Sequence, residues 1–238
     1  MKEELELLQS ELNKSYNELL NIESNKITVE PDFTFESNIE LKDKDRSCKI
    51  YPFFFSEIPK YVFEWDDCPI FEISSTDIKR QGEIIIDWVL EKSIPSKIQT
   101  QFPEIELNEL AKYYENGEGI KGEFIESWNI LEEDYNQRLS IEPYEQDRDV
   151  IRLMKEMKDF KLDELLRVGT QLSVFILSRS RRHGIDENKP QIRIAFLGAS
   201  RMKIYSNLKN KKKSLECEVK YEGYLERIVK ELLKEKIK

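Results

Sequence analysis

Ile192-Arg193-Ile194-Ala195-Phe196-Leu197-Gly198-Ala199-Ser200-Arg201-Met202-Lys203-Ile204-Tyr205 decides the fold class. Ile192, Ile194 and Phe196 recur at every second position, the period of a strand whose side chains point alternately to two faces. Gly198-Ala199-Ser200 turns the chain back into Met202, Ile204 and Tyr205. The reading is an antiparallel hairpin. On either side the pattern repeats in Leu172-Ser173-Val174-Phe175-Ile176-Leu177, taken as a single apolar strand, and in Leu215, Cys217 and Val219. Residues 165–221 therefore read as strands. An amphipathic helix at 222–238 follows, with Leu225, Ile228, Val229, Leu232 and Leu233 on one face.

Towards the N-terminus the period changes to that of helices over 76–158. Thr76 or Asp77 caps the first, which carries Ile84, Ile85, Trp88 and Val89. Pro95 opens the second, which Pro103 ends, and Asn116-Gly117 stops the third. Ile120 to Leu131 and Val150 to Met157 mark two more. Residues 33–75 return to strands: Phe33 and Phe35, then Ser47 to Phe55, then Tyr61, Phe63 and Trp65, then Ile70, Phe71 and Ile73. Met1, Leu5, Leu8, Leu12, Leu19 and Ile22 fall at heptad spacing, so residues 1–25 read as an amphipathic helix able to dock on the domain or to pair chains in a dimer. Strands, then helices, then strands define an α+β class with a largely antiparallel sheet. Residues 26–238 are expected to form one domain.

Composition narrows the function. The 238 residues include one histidine and three scattered cysteines. One histidine removes multi-histidine metal centres and leaves a Ser-His-Asp hydrolase almost untenable. Cys48, Cys68 and Cys217 have no paired spacing, which argues for a reducing compartment and against a disulfide framework. The opening Met1-Lys2-Glu3-Glu4-Leu5-Glu6 is acidic and lacks the apolar core of a signal peptide. The expectation is a cytoplasmic protein without a membrane span, cofactor or metal.

The formal charge of -9 is unevenly spread. Residues 161–238 hold 19 basic and 10 acidic side chains, whereas the first 160 hold 19 and 37. The basic excess is concentrated in Arg179, Arg181, Arg182, His183, Arg193, Arg201 and Lys203, followed by Lys209 and Lys211 to Lys213. These arginines suit phosphates, carboxylates of a partner protein, or the chain's own acidic half. Trp65, Asp66 and Asp67 form the second candidate contact patch, at the end of an apolar strand. Exposed anchors are expected among Phe53, Phe54, Tyr61 and Trp65 if that sheet forms an interface, although core positions are the simpler reading. Glu218-Val219-Lys220, read as same-face residues of the last strand, resembles the Glu-x-Lys pair of metal-dependent nucleases, which would also need an acid such as Asp186. Chance occurrence is the simpler account in a chain this rich in Glu and Lys.

Between Ile84 and Trp128 the order Ile84-Ile85-Ile86-Asp87-Trp88, Gln101-Phe102-Pro103-Glu104, Glu109-Leu110-Ala111, Gly117 and Trp128 is similar to an uncharacterised bacterial domain family. Arg152-Leu153-Met154, Phe160, Leu172 to Arg179, Pro190 to Ala199 and Met202 to Tyr205 continue the likeness over about residues 80–235. Where that family tends to a Cys-Thr-Gly-like turn, this chain has Ser180-Arg181-Arg182-His183-Gly184. The resemblance implies association with natural-product clusters or toxin–immunity loci and assigns no catalytic residues. The expectation is a non-enzymatic, immunity-type or defence-locus protein that blocks or scaffolds a partner protein, such as a basic toxin met by the acidic residues 1–160 or a defence-complex subunit, with a nucleic-acid-associated role through 179–213 as the alternative and a metal-dependent nuclease as a distant one.

Overall fold

The hairpin at 191–206 lies in the middle of an antiparallel sheet. In the computed structural model, which describes residues 39–51, 58–181, 189–208 and 213–237, the fold is α+β with two separate sheets. The chain divides into two compact units, 1–117 and 118–238, each with its own hydrophobic cluster. The single domain expected over 26–238 is thus replaced by two. The physical reason is that each sheet is amphipathic and buries its apolar face against helices of its own unit. The helix expected at 1–25, Phe33, Phe35 and Phe53 to Phe55 lie outside the described residues.

In the first unit, β1 (Ile39–Asp43), β2 (Arg46–Tyr51), β3 (Lys60–Trp65) and β4 (Cys68–Ser74) form a meander in sequence order. Two-residue turns join β1 to β2 and β3 to β4. Lys44 and both Asp66 and Asp67 have positive φ, and the Asp pair matches the mirror-image turn that suits strand twist. Aspartate tolerates this region better than most side chains. One face carries Cys48, Ile50, Tyr61 and Phe63, all fully buried. Tyr61 is therefore core, which removes it as an exposed anchor.

Against that face pack α1 (Ile78–Ile85), a π-helical turn (Ile86–Leu90), α2 (Pro95–Gln101) and α3 (Glu109–Glu115). Asp77 caps α1 by accepting from the Arg80 amide at 3.0 Å, and Asn108 caps α3 through the Ala111 amide. Gly117, at φ +76°, ends α3 in the left-handed conformation that glycine adopts without strain. Trp88 is fully buried, donates its indole N–H to the Glu64 carbonyl at 3.0 Å and meets the Phe71 ring edge-on.

In the second unit, α4 (Gly119–Ile141), α5 (Glu145–Asp159), a short 3₁₀ turn (Leu162–Glu164) and α6 (Gly223–Leu232) pack on a five-stranded meander. Its strands are β5 (Arg167–Gln171), β6 (Val174–Ser178), β7 (Gln191–Gly198), β8 (Arg201–Ser206) and β9 (Lys213–Glu218). Phe175, Leu177, Ile192, Ile194, Met202 and Ile204 fill the helix side and are all 0% exposed. Trp128 repeats the role of Trp88, donating to the Leu166 carbonyl at 2.7 Å.

Two strand expectations are corrected. Leu172 is not in a strand: it sits in the β5–β6 turn at φ +57° and is 95% exposed. The backbone reversal overrides its apolar character. The last strand ends at Glu218, and the chain bends through Val219 and Lys220.

Candidate functional site

The basic residues of the second unit fall into two groups. Arg179 and Arg181 follow β6 and turn inward. Arg181 forms an ion pair with Glu123 on α4 at 2.6 Å, and that carboxylate side chain is only 1% exposed. Arg179 donates to the Leu165 carbonyl at 3.3 Å, and burial holds its guanidinium below the usual range. Arg167 donates to the Arg181 carbonyl. These arginines close the sheet edge onto α4. Arg182, His183, Asp186, Lys209, Lys211 and Lys212 lie outside the described residues.

The second group is on the hairpin. Because β7 and β8 bury Ile192, Ile194, Met202 and Ile204, their alternate residues Arg193, Ala195, Arg201, Lys203 and Tyr205 point to the opposite face. Arg193 stands opposite Tyr205, and Ala195 opposite Lys203. Arg193 donates to Gln171 Oε1 at 2.7 Å. Lys203 pairs with Glu216 of β9 at 3.4 Å and lies 5.5 Å from the Tyr205 ring centroid. Arg201 stands opposite Glu218. Among the described residues, the helices of this unit all belong to the core on the other face, and on this face Arg201 and Tyr205 are exposed and Arg193 and Lys203 partly so. It presents a row of Arg, Lys and Tyr bordered by two glutamates.

The Glu-x-Lys pair is not built as expected. Glu218 ends β9, whereas Lys220 lies beyond it and pairs with Glu222 at 2.7 Å. The bend after Glu218 removes the strand geometry that would have put both side chains on one face.

In the first unit, Trp65 is half-buried and takes part in a cation–π sandwich. The guanidinium carbon of Arg46 lies 3.5 Å from the Trp65 ring centroid and 3.9 Å from that of Trp88. Arg46 is 2% exposed, and burial lowers its pKa to about 10. One guanidinium nitrogen donates to the Ser93 carbonyl at 3.2 Å. The Trp65 indole donates to Asp45, whose other oxygen accepts from Lys92. Asp66 and Asp67 form the tight turn beside it, and Asp67 pairs with Lys42 at 2.6 Å.

On the polar face of this sheet, carboxylate oxygens of Glu40, Glu64 and Asp67 lie within 4.8 Å of one another. Glu64 is buried and accepts from Ser47 at 3.0 Å and Lys49 at 2.9 Å. Lys42 pairs with Asp67 and Lys49 with Glu64, so two of the three carboxylates are held in ion pairs.

Sequence reasoning missed a cleft of about 460 Å³ along the end of β4 and the start of α1. Its walls include Glu72, Asp77, Arg80, Gln81, Glu104 and Glu106. Arg80 pairs with Glu104 at 3.0 Å and its guanidinium lies 4.4 Å from the Phe102 ring centroid. The pair draws the Glu104 carboxyl below its ordinary range. Glu72 pairs with Lys60 at 2.7 Å. The only sequence signal was the acidic pair Glu104 and Glu106 after Phe102-Pro103.

Comparisons with protein-family models, with curated proteins and with solved structures return no match. Among the described residues, no helix is long and apolar enough to cross a membrane.

Proposed function

We propose that the protein acts by binding a partner protein, as an immunity-type or defence-locus component that blocks or scaffolds that partner. The observation that carries this reading is the open face of the five-stranded sheet, with Arg193, Arg201, Lys203 and Tyr205 on adjacent strands. Arginine and tyrosine are the side chains that most often anchor interfaces, because each combines a large contact area with directional hydrogen bonding. Glu216 and Glu218 on the neighbouring strand make the row mixed in charge. A mixed row favours a protein surface over the uniform polyanion of nucleic acid. The cytoplasm is the setting this reading assumes, supported by three free cysteines.

The test is the triple variant Arg193→Glu, Arg201→Glu, Lys203→Glu, expressed with a tag in the native cell. A protein that co-purifies stoichiometrically with the wild type should be lost, with the circular dichroism spectrum and melting temperature retained. Undiminished recovery by the folded variant removes this face from the interface. Steeply salt-dependent binding to DNA or RNA, abolished by the same variant, replaces the reading with the nucleic-acid one.

A further inference from the structure

The two edges of the second unit's sheet differ. At β5 the edge is closed, because the Val168 amide donates to the Ser127 hydroxyl of α4 at 3.1 Å. At the opposite edge β9 pairs, among the described residues, with β8 alone. The Val219 amide donates to the Ser200 carbonyl at 2.8 Å, which sets the phase of that ladder. Alternation then turns the N–H and C=O groups of Leu215 and Cys217 towards β8 and those of Ser214, Glu216 and Glu218 outward. A row of outward backbone groups is a template for another strand. The apolar side of β9 is unfinished as well. Leu215 points to the same side as its buried cross-strand neighbour Ile204, yet it is 42% exposed. The helices α5 and α6 pack over β7, two strands away.

The charge order of the strand names the occupant. With the residues that lead into it, β9 reads Lys211-Lys212-Lys213-Ser214-Leu215-Glu216-Cys217-Glu218, basic at its start and acidic at its end. An antiparallel copy of the same stretch sets the basic start of each strand beside the acidic end of the other. Ladder phase and charge together select one register. Centring a two-fold axis on Leu215 places Ser214 opposite Glu216 of the second copy, both with outward backbone groups, and places Leu215 opposite its own counterpart. Centring it on Glu216 or Cys217 opposes glutamates, and centring it on Ser214 sets Leu215 against Lys213. We infer that β9 pairs with β9 of a second copy of this chain, antiparallel about Leu215, so that the two sheets continue into one another. The axis is perpendicular to the sheet, so both arginine rows lie on the same side and stay free. The contact therefore does not depend on what those rows bind.

Sedimentation velocity of the full chain over about 1–500 µM tests the contact. A reversible dimer with a dissociation constant of about 10–100 µM is expected, in keeping with a small interface. Glu216→Pro removes an outward amide and leaves the bonds to β8. It should keep the melting temperature and raise the dissociation constant at least about tenfold. Cross-linking reads the register separately. In a Cys217→Ser background, Leu215→Cys should yield a disulfide-linked dimer under copper–phenanthroline oxidation, because residues paired at the axis lie about 5 Å apart. Glu218→Cys should not, since its two copies lie about 20 Å apart along the strands. Both substitutions are at exposed positions, so they decide the matter even if Glu216→Pro does not fold. A chain that stays monomeric at about 500 µM overturns the inference, whether or not a partner binds the open face. So does a dimer undiminished in folded Glu216→Pro, or the absence of a Leu215→Cys cross-link.

Discussion

Tyr61 shows how one residue sets the alkaline behaviour of the first unit. Its ring is fully buried, its hydroxyl has no hydrogen-bond partner among the described residues, and burial raises the phenol pKa to about 12. In the unfolded chain the group titrates near 10. The folded state keeps the proton longer, so the stabilisation is complete below pH 10 and is lost as pH rises towards 12. The buried Cys48 thiol, also pushed up by burial, adds a loss in the same direction. Tyr61→Phe keeps the ring and removes the unsatisfied hydroxyl. It should leave stability at pH 7 unchanged or raise it by up to about 1 kcal/mol. It should also flatten the fall in the urea midpoint between pH 9.5 and 11, which equilibrium denaturation at several pH values would measure. A fall as steep as that of the wild type would show that the hydroxyl is solvated in the folded state.

At the scale of elements, the hairpin edge after β6 separates structural arginines from those available to a partner. Arg181→Ala strands the Glu123 carboxylate inside the unit and should cost about 3 kcal/mol of unfolding free energy. Adding Glu123→Leu should recover most of that loss. Lys203→Ala removes a solvent-screened surface pair with Glu216 and should leave the unfolding free energy nearly unchanged. Chemical denaturation of the three variants distinguishes them, and equal losses would mean that the Arg181 pair is solvent-screened. The strands and helices were largely legible in the sequence because alternation and caps are local: Asp77, Pro95 and Gly117 mark boundaries as they read. Leu172 and Lys220 were misread because a turn can override side-chain preference. The site was less legible. Whether Arg181 faces Glu123, or Arg80 faces Glu104, depends on residues 58 positions away or on a cleft formed by three separate segments. Arg46 gave no sign of its place between Trp65 and Trp88, because a charged residue at a strand start usually reads as surface.

The whole molecule has two cores where the sequence suggested one. Both units combine a meander with helices on one face, and nothing in strand or helix periodicity marks residue 117 as a border rather than a turn. Separate cores predict separable melting. Phe63→Ala should lower one calorimetric transition, and Leu153→Ala the other, each by about 3–5 kcal/mol of local stability. A single transition that moves equally with both variants would show that the units unfold as one. The tryptophans give this division an optical consequence. Trp65 and Trp88 lie against a guanidinium in the first unit, whereas Trp128 is in the second, with the Phe175 ring edge-on at 6.1 Å. A chain retaining only Trp128 would therefore report, by its emission colour and lifetime, on the unit that carries the arginine row, while the other unit stays dark.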